Sequence, residues 1–285
     1  MSGTPLSSTL CIYIEKGNPL ELTFKIKYDS GERDFDGLDM YYGAHSIAAI
    51  SEILLLTIHA SLRGEVIVQA PAAKGFRLVL KKNHEGSLEQ IIHMYVTDSD
   101  TVSLLTDLSK NGLYDVIKYM LSSCLGLPFM LSHRKAKKRV LQLERDKEDL
   151  HDRLERALLK AHQPIKHQGL SAVLSLGRTP IVNFDADTLN YLETEVVEPD
   201  TEIVSVAVSR FNARTGTGRF ISDINSTSHS FSPFDDLDDY QKTLMADNLG
   251  KVARNEFEPL TAIVTKVNSS NGRLKRYQLH GISKA

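Results

Sequence analysis

The chain has 285 residues, with 34 lysines and arginines against 36 aspartates and glutamates, giving a formal net charge of -2. This balance gives the whole molecule no electrostatic affinity for nucleic acid or anionic membranes, so any such affinity must come from a local patch. Apolar residues make up 41% and charged residues 25%, which is typical of globular proteins and excludes global disorder.

Cysteine usage and hydropathy limit the class of protein further. Cys11 and Cys124 are far apart and belong to no CxxC motif, which argues against a disulfide framework or a zinc knuckle. Residues 1–10 lack the basic and apolar regions of a secretory signal. The apolar stretch at residues 47–62 is too short and too interrupted for a membrane span. We therefore expect a cytoplasmic protein with no membrane partner, no metal and no cofactor.

The first part of the chain mixes strand and helix patterns. Apolar and polar residues alternate over 20–28, which predicts a half-buried strand. Over 38–62 the apolar spacing is helical, which predicts a mostly buried helix ended by Gly64. Further predictions are a hairpin of strands 65–70 and 76–82, an ambiguous helix or strand at 88–95, and a helical region at 101–125 that breaks near Asn111 and Gly112. Residues 1–128 are therefore predicted to be an α+β domain, an antiparallel sheet with packed helices.

A highly charged segment follows this domain. Residues 131–161 contain no Gly or Pro and many helix formers, so we expect one helix about 45 Å long. Residues 163–177 carry little charge and are predicted to be a connector. Region 129–177 is therefore a long charged helix and linker between two domains.

The charged helix also carries a narrow apolar stripe, typical of a pairing seam. The stripe predicts homo-oligomerisation, or docking on the body of the protein. Its members are Leu143, Leu150, Leu154, Ala157 and Leu158.

The last part of the chain reads as short strands with one helix among them. The predicted strands are 203–211, 219–222, 260–267 and 274–282, the last two joined in a hairpin at Asn271-Gly272. A helix at 235–248 has acidic residues in its first turn and Ser232 as its predicted cap. Residues 178–285 are therefore predicted to be a small, partly open β-barrel-like domain of OB or SH3 type, with one inserted helix.

Local catalytic motifs are absent from the sequence. There is no GxxxxGK[ST] or GxSxG, and the one GxG, residues 216–218, lies between strands rather than before a helix. His151, His162 and His167 surround Pro164, and solvated linker histidines explain them better than a zinc site. An enzyme is therefore not indicated, although a site assembled from distant residues such as Asp36, Asp39 or His45 stays open.

The clearest local charge is the basic run at residues 133–139. Its cations, Arg134, Lys135, Lys137, Lys138 and Arg139, are spaced to contact nucleic-acid phosphates without reading sequence. The alternative is a solvated helix whose charge is offset downstream by Glu144, Asp146, Glu148, Asp149, Asp152 and Glu155.

Residues 206–221, VAVSRFNARTGTGRFI, resemble the first hairpin of cold-shock domains. The resemblance implies a small barrel whose strands stack single-stranded bases on aromatic side chains. Arg210 stands where that family has an indole, and Arg219 replaces one expected aromatic. The residues to which the resemblance assigns nucleic-acid contacts are Arg210, Phe211, Arg214, Arg219 and Phe220. A strand pair that merely builds a barrel is the alternative.

By its layout, and by the stretch LDMYYGAHSIAAISEILL at 38–55, the chain is similar to uncharacterised two-domain bacterial proteins, some near phage-defence genes. We expect a non-enzymatic binding or scaffold protein, oligomeric, that contacts DNA or RNA through the barrel and the basic helix. One alternative is a purely structural subunit with protein partners. The other is an enzyme with a non-local active site.

Overall fold

The computed structural model of the chain describes residues 21–31, 37–67, 69–81, 88–143, 147–224, 226, 228–270 and 272–285. The fold is α+β, as predicted, with a five-stranded sheet and a closed five-stranded barrel. The strands are β1 (Glu21–Asp29), β2 (Phe76–Leu80), β3 (Glu89–Val96), β4 (Ser171–Leu176), β5 (Thr179–Phe184), β6 (Val196–Phe211), β7 (Gly218–Ile221), β8 (His229–Pro233), β9 (Leu260–Asn268) and β10 (Leu274–Lys284). The helices are α1 (Met40–Arg63), α2 (Ser99–Cys124), α3 (Arg134–Leu143), α4 (Lys147–Ala161), α5 (Gln163–Gln168), α6 (Ala186–Glu193) and α7 (Asp239–Ala253).

Two compact units make up the chain. The first unit comprises Met1–Ser122, Phe129–Leu143 and Lys160–Ala186. The second unit comprises Ser123–Pro128, Glu144–Leu159 and Asp187–Ala285. The region that the sequence suggested as a separate linker is thus shared between both units.

The sheet of the first unit has the strand order β2-β3-β1-β4-β5. Its central strand, β1, alternates buried and exposed side chains as its sequence predicts. Phe24 of β1 is fully buried and lies opposite Ile92 of β3 and Leu176 of β4, both antiparallel neighbours. The sheet therefore joins strands from both ends of the first unit.

Helix α1 forms where the apolar spacing predicted it. The Asp39 side chain caps its start by accepting hydrogen bonds from the N–H groups of Tyr41 and Tyr42. Gly64 ends it in the left-handed conformation, at φ 71°. Among the described residues, α1 alone is long and apolar enough to cross a membrane, but 67% of its apolar window is buried within the fold. Its apolarity thus serves a protein core, which is compatible with a soluble protein.

The hairpin predicted in the first unit is wrong in its first strand. Residues 65–67 have no regular structure, and Ala70–Ala72 form a single 3₁₀ turn around Pro71, which has no N–H to give to a sheet. Strand β2 pairs instead with β3, so the ambiguous segment at 88–95 is a strand.

The connector predicted at residues 163–177 is also wrong. These residues form α5 and then β4, whose alternate residues Ala172, Leu174 and Leu176 are buried. Their low charge belongs to a half-buried strand rather than to a linker. The hairpin partner β5 completes this edge of the first unit's sheet, so the first unit extends to Ala186.

The second unit contains the barrel, with the strand order β10-β8-β7-β6-β9. The predicted strands and the hairpin of β9 and β10 are confirmed, although Asn271 at its turn lies outside the described residues. Helix α7, inserted between β8 and β9, begins with a capping box of Asp238 and Gln241. The cap predicted at Ser232 is wrong, since Ser232 lies in β8 and accepts a hydrogen bond from Arg276.

Candidate nucleic-acid interface

Helix α3 separates an apolar face from a basic one. Ala136, Val140 and Leu143 are buried at i, i+4 and i+7, the spacing that places them on one side of a helix. We call the opposite side the basic face: Arg134, Lys135, Lys137 and Lys138, which are exposed, with the half-buried Arg139 beside them. Because the apolar face packs against the protein, the cations on the opposite side of α3 point towards solvent.

The start of α3 is held by a carboxylate from α2. Asp115 is 6% exposed, and its Oδ2 accepts hydrogen bonds from the Ser132 N–H (3.2 Å), the Ser132 hydroxyl (2.8 Å) and the His133 N–H (2.9 Å). This oxygen occupies the positive end of the helix, where a negative charge is stabilised. The helix that carries the basic face is therefore held against α2 at its start.

Few of the cations on the basic face are neutralised within the part of the chain that the structure describes. Lys135 Nζ donates to Asp107 Oδ1 at 2.8 Å, and this hydrogen bond and the lysine charge lower the pKa of Asp107. Arg134, Lys137 and Lys138 form no ion pair with a described residue. Of the downstream carboxylates expected to offset this charge, Asp149, Asp152 and Glu155 pair with Arg219 or Arg273. Glu144, Asp146 and the side chain of Glu148 lie outside what the structure describes.

A shallow groove runs between the basic face and the middle of α2. Two recesses, of about 530 and 290 Å³, meet at Ser132 and His133. Lys110 lines one, and Arg134 and Lys135 line the other. We define the groove by six residues: Ser109, Lys110, Ser132, His133, Arg134 and Lys135. A third recess of about 230 Å³ continues it past Lys138 and Arg139.

Ser109 of this groove has a strained backbone. Its φ of 66° and ψ of 161° lie in a region almost restricted to glycine and interrupt α2, shortly before the break predicted at Asn111 and Gly112. The Ser109 Oγ accepts the Gly112 N–H at 3.2 Å and so caps the second half of α2. Strain of this kind costs about 1–3 kcal/mol and tends to occur at functional sites.

Of the two aromatic side chains that the cold-shock resemblance assigned to base stacking, Phe220 lies inside the barrel and Phe211 is partly buried. Phe220 is 1% exposed and stacks on Phe231 with ring centroids 3.9 Å apart. Phe211 packs partly buried against the same core. The prediction of base stacking on Phe220 is wrong, because the hydrophobic core of the five-stranded barrel contains this ring.

Arg219 is likewise engaged within the second unit. Its guanidinium lies 3.1 Å from Asp152 and 3.6 Å from Asp149 of α4, and Arg273 pairs with Asp152 and Glu155. These ion pairs are partly buried and hold the acidic side of α4 against the barrel strands. Arg219 is therefore a structural residue, which corrects its assignment to nucleic acid.

Two of the barrel arginines remain exposed. Arg210 and Arg214 lie at the end of β6 and in the turn that follows, and the structure pairs neither with a described carboxylate. They can meet a phosphate, but no exposed aromatic of the predicted set accompanies them.

The apolar stripe predicted to pair with a second copy is buried in the chain itself. All five members are at most 4% exposed: Leu143, Leu150, Leu154, Ala157 and Leu158. A second copy cannot reach them unless the protein unpacks, so this assignment of the seam is corrected to a core.

Three of the residues considered for metal binding or non-local catalysis, His151, His162 and Asp39, have structural roles. His151 and His162, predicted to be solvated, are buried: the Ser123 hydroxyl lies 2.9 Å from the His151 ring, and the Phe184 ring packs on His162. Asp39 caps α1, His45 is exposed beside Tyr41, and Asp36 and Cys11 lie outside the described residues. No three His, Cys, Asp or Glu side chains among the described residues are placed to hold a metal.

Cys124 is a core thiol, as predicted. It is 1% exposed, and burial raises its pKa well above the usual range. A thiol in this state is a poor nucleophile.

Residues 24–193 match the model of a family described as a domain of unknown function, DUF7946, which is more than half of the chain. The chain belongs to the DUF7946 family. It matches no curated protein and no solved structure. The DUF7946 region contains the basic face, Asp115 and the groove, whereas β6 to β10 of the barrel follow it.

Part of this DUF7946 surface was visible in the sequence. The cations of the basic face were found as a run, but Asp107, Ser109, Lys110 and Asp115 were not. Asp115 stands 17 residues before Ser132, and no local spacing signals that contact. The strain at Ser109 carries no sequence signature either.

Proposed function

We propose that this protein binds nucleic acid through the basic face of α3, by contacts to phosphates, without catalysing a reaction. The observation that carries the proposal is the set of exposed cations on one anchored helix, of which Lys135 alone is paired with a described carboxylate. The proposal concerns DNA or RNA in general, since phosphate contacts carry no sequence information.

The size of the basic face supports a weak and salt-sensitive interaction. Helix α3 has 10 residues and is about 15 Å long, which spans about four nucleotides of one strand at a rise of about 3.4 Å. Three or four phosphate contacts give a slope of log K against log salt of about −3. Affinity without sequence readout then lies in the micromolar range or weaker.

A fluorescence anisotropy titration tests the proposal. Labelled 20-nucleotide single strands and duplexes of DNA and RNA are titrated with the protein in about 50 and 200 mM salt, because non-specific binding weakens steeply over this interval. The variant R134E/K137E reverses two charges on the basic face. Its matched control, R210E/R214E, reverses two exposed charges on the barrel.

The expected result is a loss of affinity of at least tenfold in R134E/K137E and of less than about twofold in the control. No binding at tens of micromolar protein in low salt would overturn the proposal. Equal losses in both variants would show that the basic face is not the site.

A protein partner is the second candidate function, and two exposed apolar side chains favour it. Leu141 on α3 is 71% exposed and Met130, just before α3, is 88% exposed. Apolar contacts are not screened by salt. Light scattering at low and high salt distinguishes the candidates: a defined oligomer that persists in high salt and dissociates in M130S/L141S indicates protein association.

We propose a cytoplasmic setting in a bacterium, in the context of defence against phage. The support is the similarity of residues 38–55 to uncharacterised bacterial proteins, some of which lie near such genes.

A further inference from the structure

The groove differs from the basic face in shape. Lys137 is exposed on α3, where a continuous strand can pass. In the groove, Lys110 approaches from α2, and Arg134 and Lys135 from α3, around the recesses that meet at Ser132 and His133. The larger recess, about 530 Å³, falls within the range of small-ligand sites, roughly 300–1,000 Å³.

The carboxylates beside the groove are already engaged. Asp107 is bonded to Lys135, and Asp115 Oδ2 accepts three hydrogen bonds from Ser132 and His133. The lining of the two recesses contains these two carboxylates and three cations, Lys110, Arg134 and Lys135. With His133 neutral, the net charge of the lining is +1. The groove therefore favours an anion.

Hydrogen-bond donors and one aromatic ring complete the lining. Ser109 Oγ accepts from Gly112, which leaves its own proton to donate to a ligand. Tyr114 lines the smaller recess, and its hydroxyl donates to the Pro180 carbonyl at 2.8 Å, which fixes the ring in place. Aromatic rings in such positions stack on nucleobases.

We infer that the groove binds the terminal phosphate of a nucleic-acid strand, with the terminal nucleoside in the adjoining recess. A phosphate inside a strand continues into chain on both sides and stays on the basic face, whereas a terminal phosphate can enter a recess. A phosphomonoester also carries about −1.5 to −2 charge at pH 7, more than the single charge of an internal phosphodiester. The inference rests on the proposed function, because the rest of the strand lies on the basic face.

The test compares one labelled 12-nucleotide DNA strand with a 5′-phosphate, a 3′-phosphate or hydroxyls at both ends. Each is titrated with the wild-type protein, with K110A, and with K27A, which removes an exposed lysine of β1 as a matched control. Circular dichroism shows that each variant is folded.

We expect the wild type to bind at least one phosphorylated strand five times more tightly than the hydroxyl strand. K110A lowers this ratio toward one with little change in affinity for the hydroxyl strand, and K27A keeps the ratio. Equal binding of all three strands overturns the inference and leaves the proposed function standing, whereas no binding of any strand overturns both. A ratio that survives K110A also overturns the inference, since it places the terminal phosphate elsewhere.

Discussion

Asp115 and Ser132 are joined through a single carboxylate oxygen, which accepts both the Ser132 hydroxyl at 2.8 Å and the Ser132 N–H at 3.2 Å. This contact ties the start of α3 to α2 across 17 residues of sequence. Because the same oxygen also accepts the His133 N–H, it fixes the direction in which the basic face points.

Replacing Asp115 by alanine therefore removes three hydrogen bonds to a buried charge. We expect D115A to lower the free energy of unfolding by about 3 kcal/mol, since such bonds are strong and their donors would be left without a partner. Urea unfolding followed by circular dichroism measures this. Asp247→Ala, at an exposed position of α7, serves as the control and should change stability by less than about 0.5 kcal/mol. A cost below 1 kcal/mol for D115A would contradict the anchoring role.

The strain at Ser109 predicts an unusual gain from glycine. S109G relieves a backbone conformation that costs about 1–3 kcal/mol and loses little as a cap, because glycine at this position costs only a few tenths. We expect the variant to be more stable by about 1 kcal/mol in thermal or urea unfolding. The control S103G, in the regular part of α2, should be less stable by about 0.5 kcal/mol. A loss of stability in S109G would show that the strain is not present.

Asp107 restrains the charge of the basic face by pairing with Lys135. D107N releases that lysine, so we expect affinity for the 20-nucleotide strands to rise about threefold, and the salt dependence to steepen by nearly one unit of slope. Anisotropy titrations at several salt concentrations give both quantities. The control is Asp100→Asn, at an exposed position in the first turn of α2. An equal rise in affinity in this variant would show that the change in net charge, rather than the release of Lys135, causes the increase.

His59 makes the stability of the first unit depend on pH. Burial lowers its pKa below the usual 6.5, with smaller effects of Arg63, Glu65 and Lys74, and its Nδ1 accepts the Lys74 N–H at 3.3 Å. As pH falls below about 6.5, His59 binds a proton in the unfolded chain but stays neutral in the folded protein until a lower pH. The free energy of unfolding therefore decreases.

Urea unfolding between pH 7.5 and 5 measures this decrease. H59Q, whose side chain does not titrate, should show a shallower decrease than the wild type, because the other ionisable groups stay the same. Identical pH profiles for the two proteins would contradict the assignment to His59.

The ion pairs of Asp152 with Arg219 and Arg273 predict a structural rather than a binding phenotype. These side chains are only 20–22% exposed, so D152A leaves two arginines partly buried and should cost about 2 kcal/mol. The control E256A breaks a pair with Arg254 that is mostly exposed and should cost less than about 0.5 kcal/mol. A gain of nucleic-acid affinity in D152A without loss of stability would instead restore Arg219 as a binding residue.

Sequence periodicity by itself determined much of the secondary structure. The alternation in β1, the helical spacing in α1 and the Asn-Gly step in the sequence between β9 and β10 are local patterns, typical of a strand, a helix and a hairpin. The α+β class followed from them, as did the burial of Cys124. Two local patterns gave wrong predictions: the β-branched run at 65–70 was predicted to be a strand, and the low-charge segment at 163–177 was predicted to be a linker. Such runs look alike in loops, linkers and half-buried strands, so sequence alone does not distinguish them.

Only the tertiary structure decided which of the suspected residues face solvent. The local sequence around Phe220 and Leu154 is compatible with a binding surface, yet both side chains are buried in a core. Burial depends on which distant parts of the chain pack against a residue, and local sequence does not show this. Arg219 and Lys137 are both cations. Arg219 pairs with carboxylates of α4, whereas no described carboxylate pairs with Lys137. The basic run could be recognised in the sequence. The hydrogen bonds from Asp115 that hold its helix could not, because a contact across 17 residues exists only once the chain has folded.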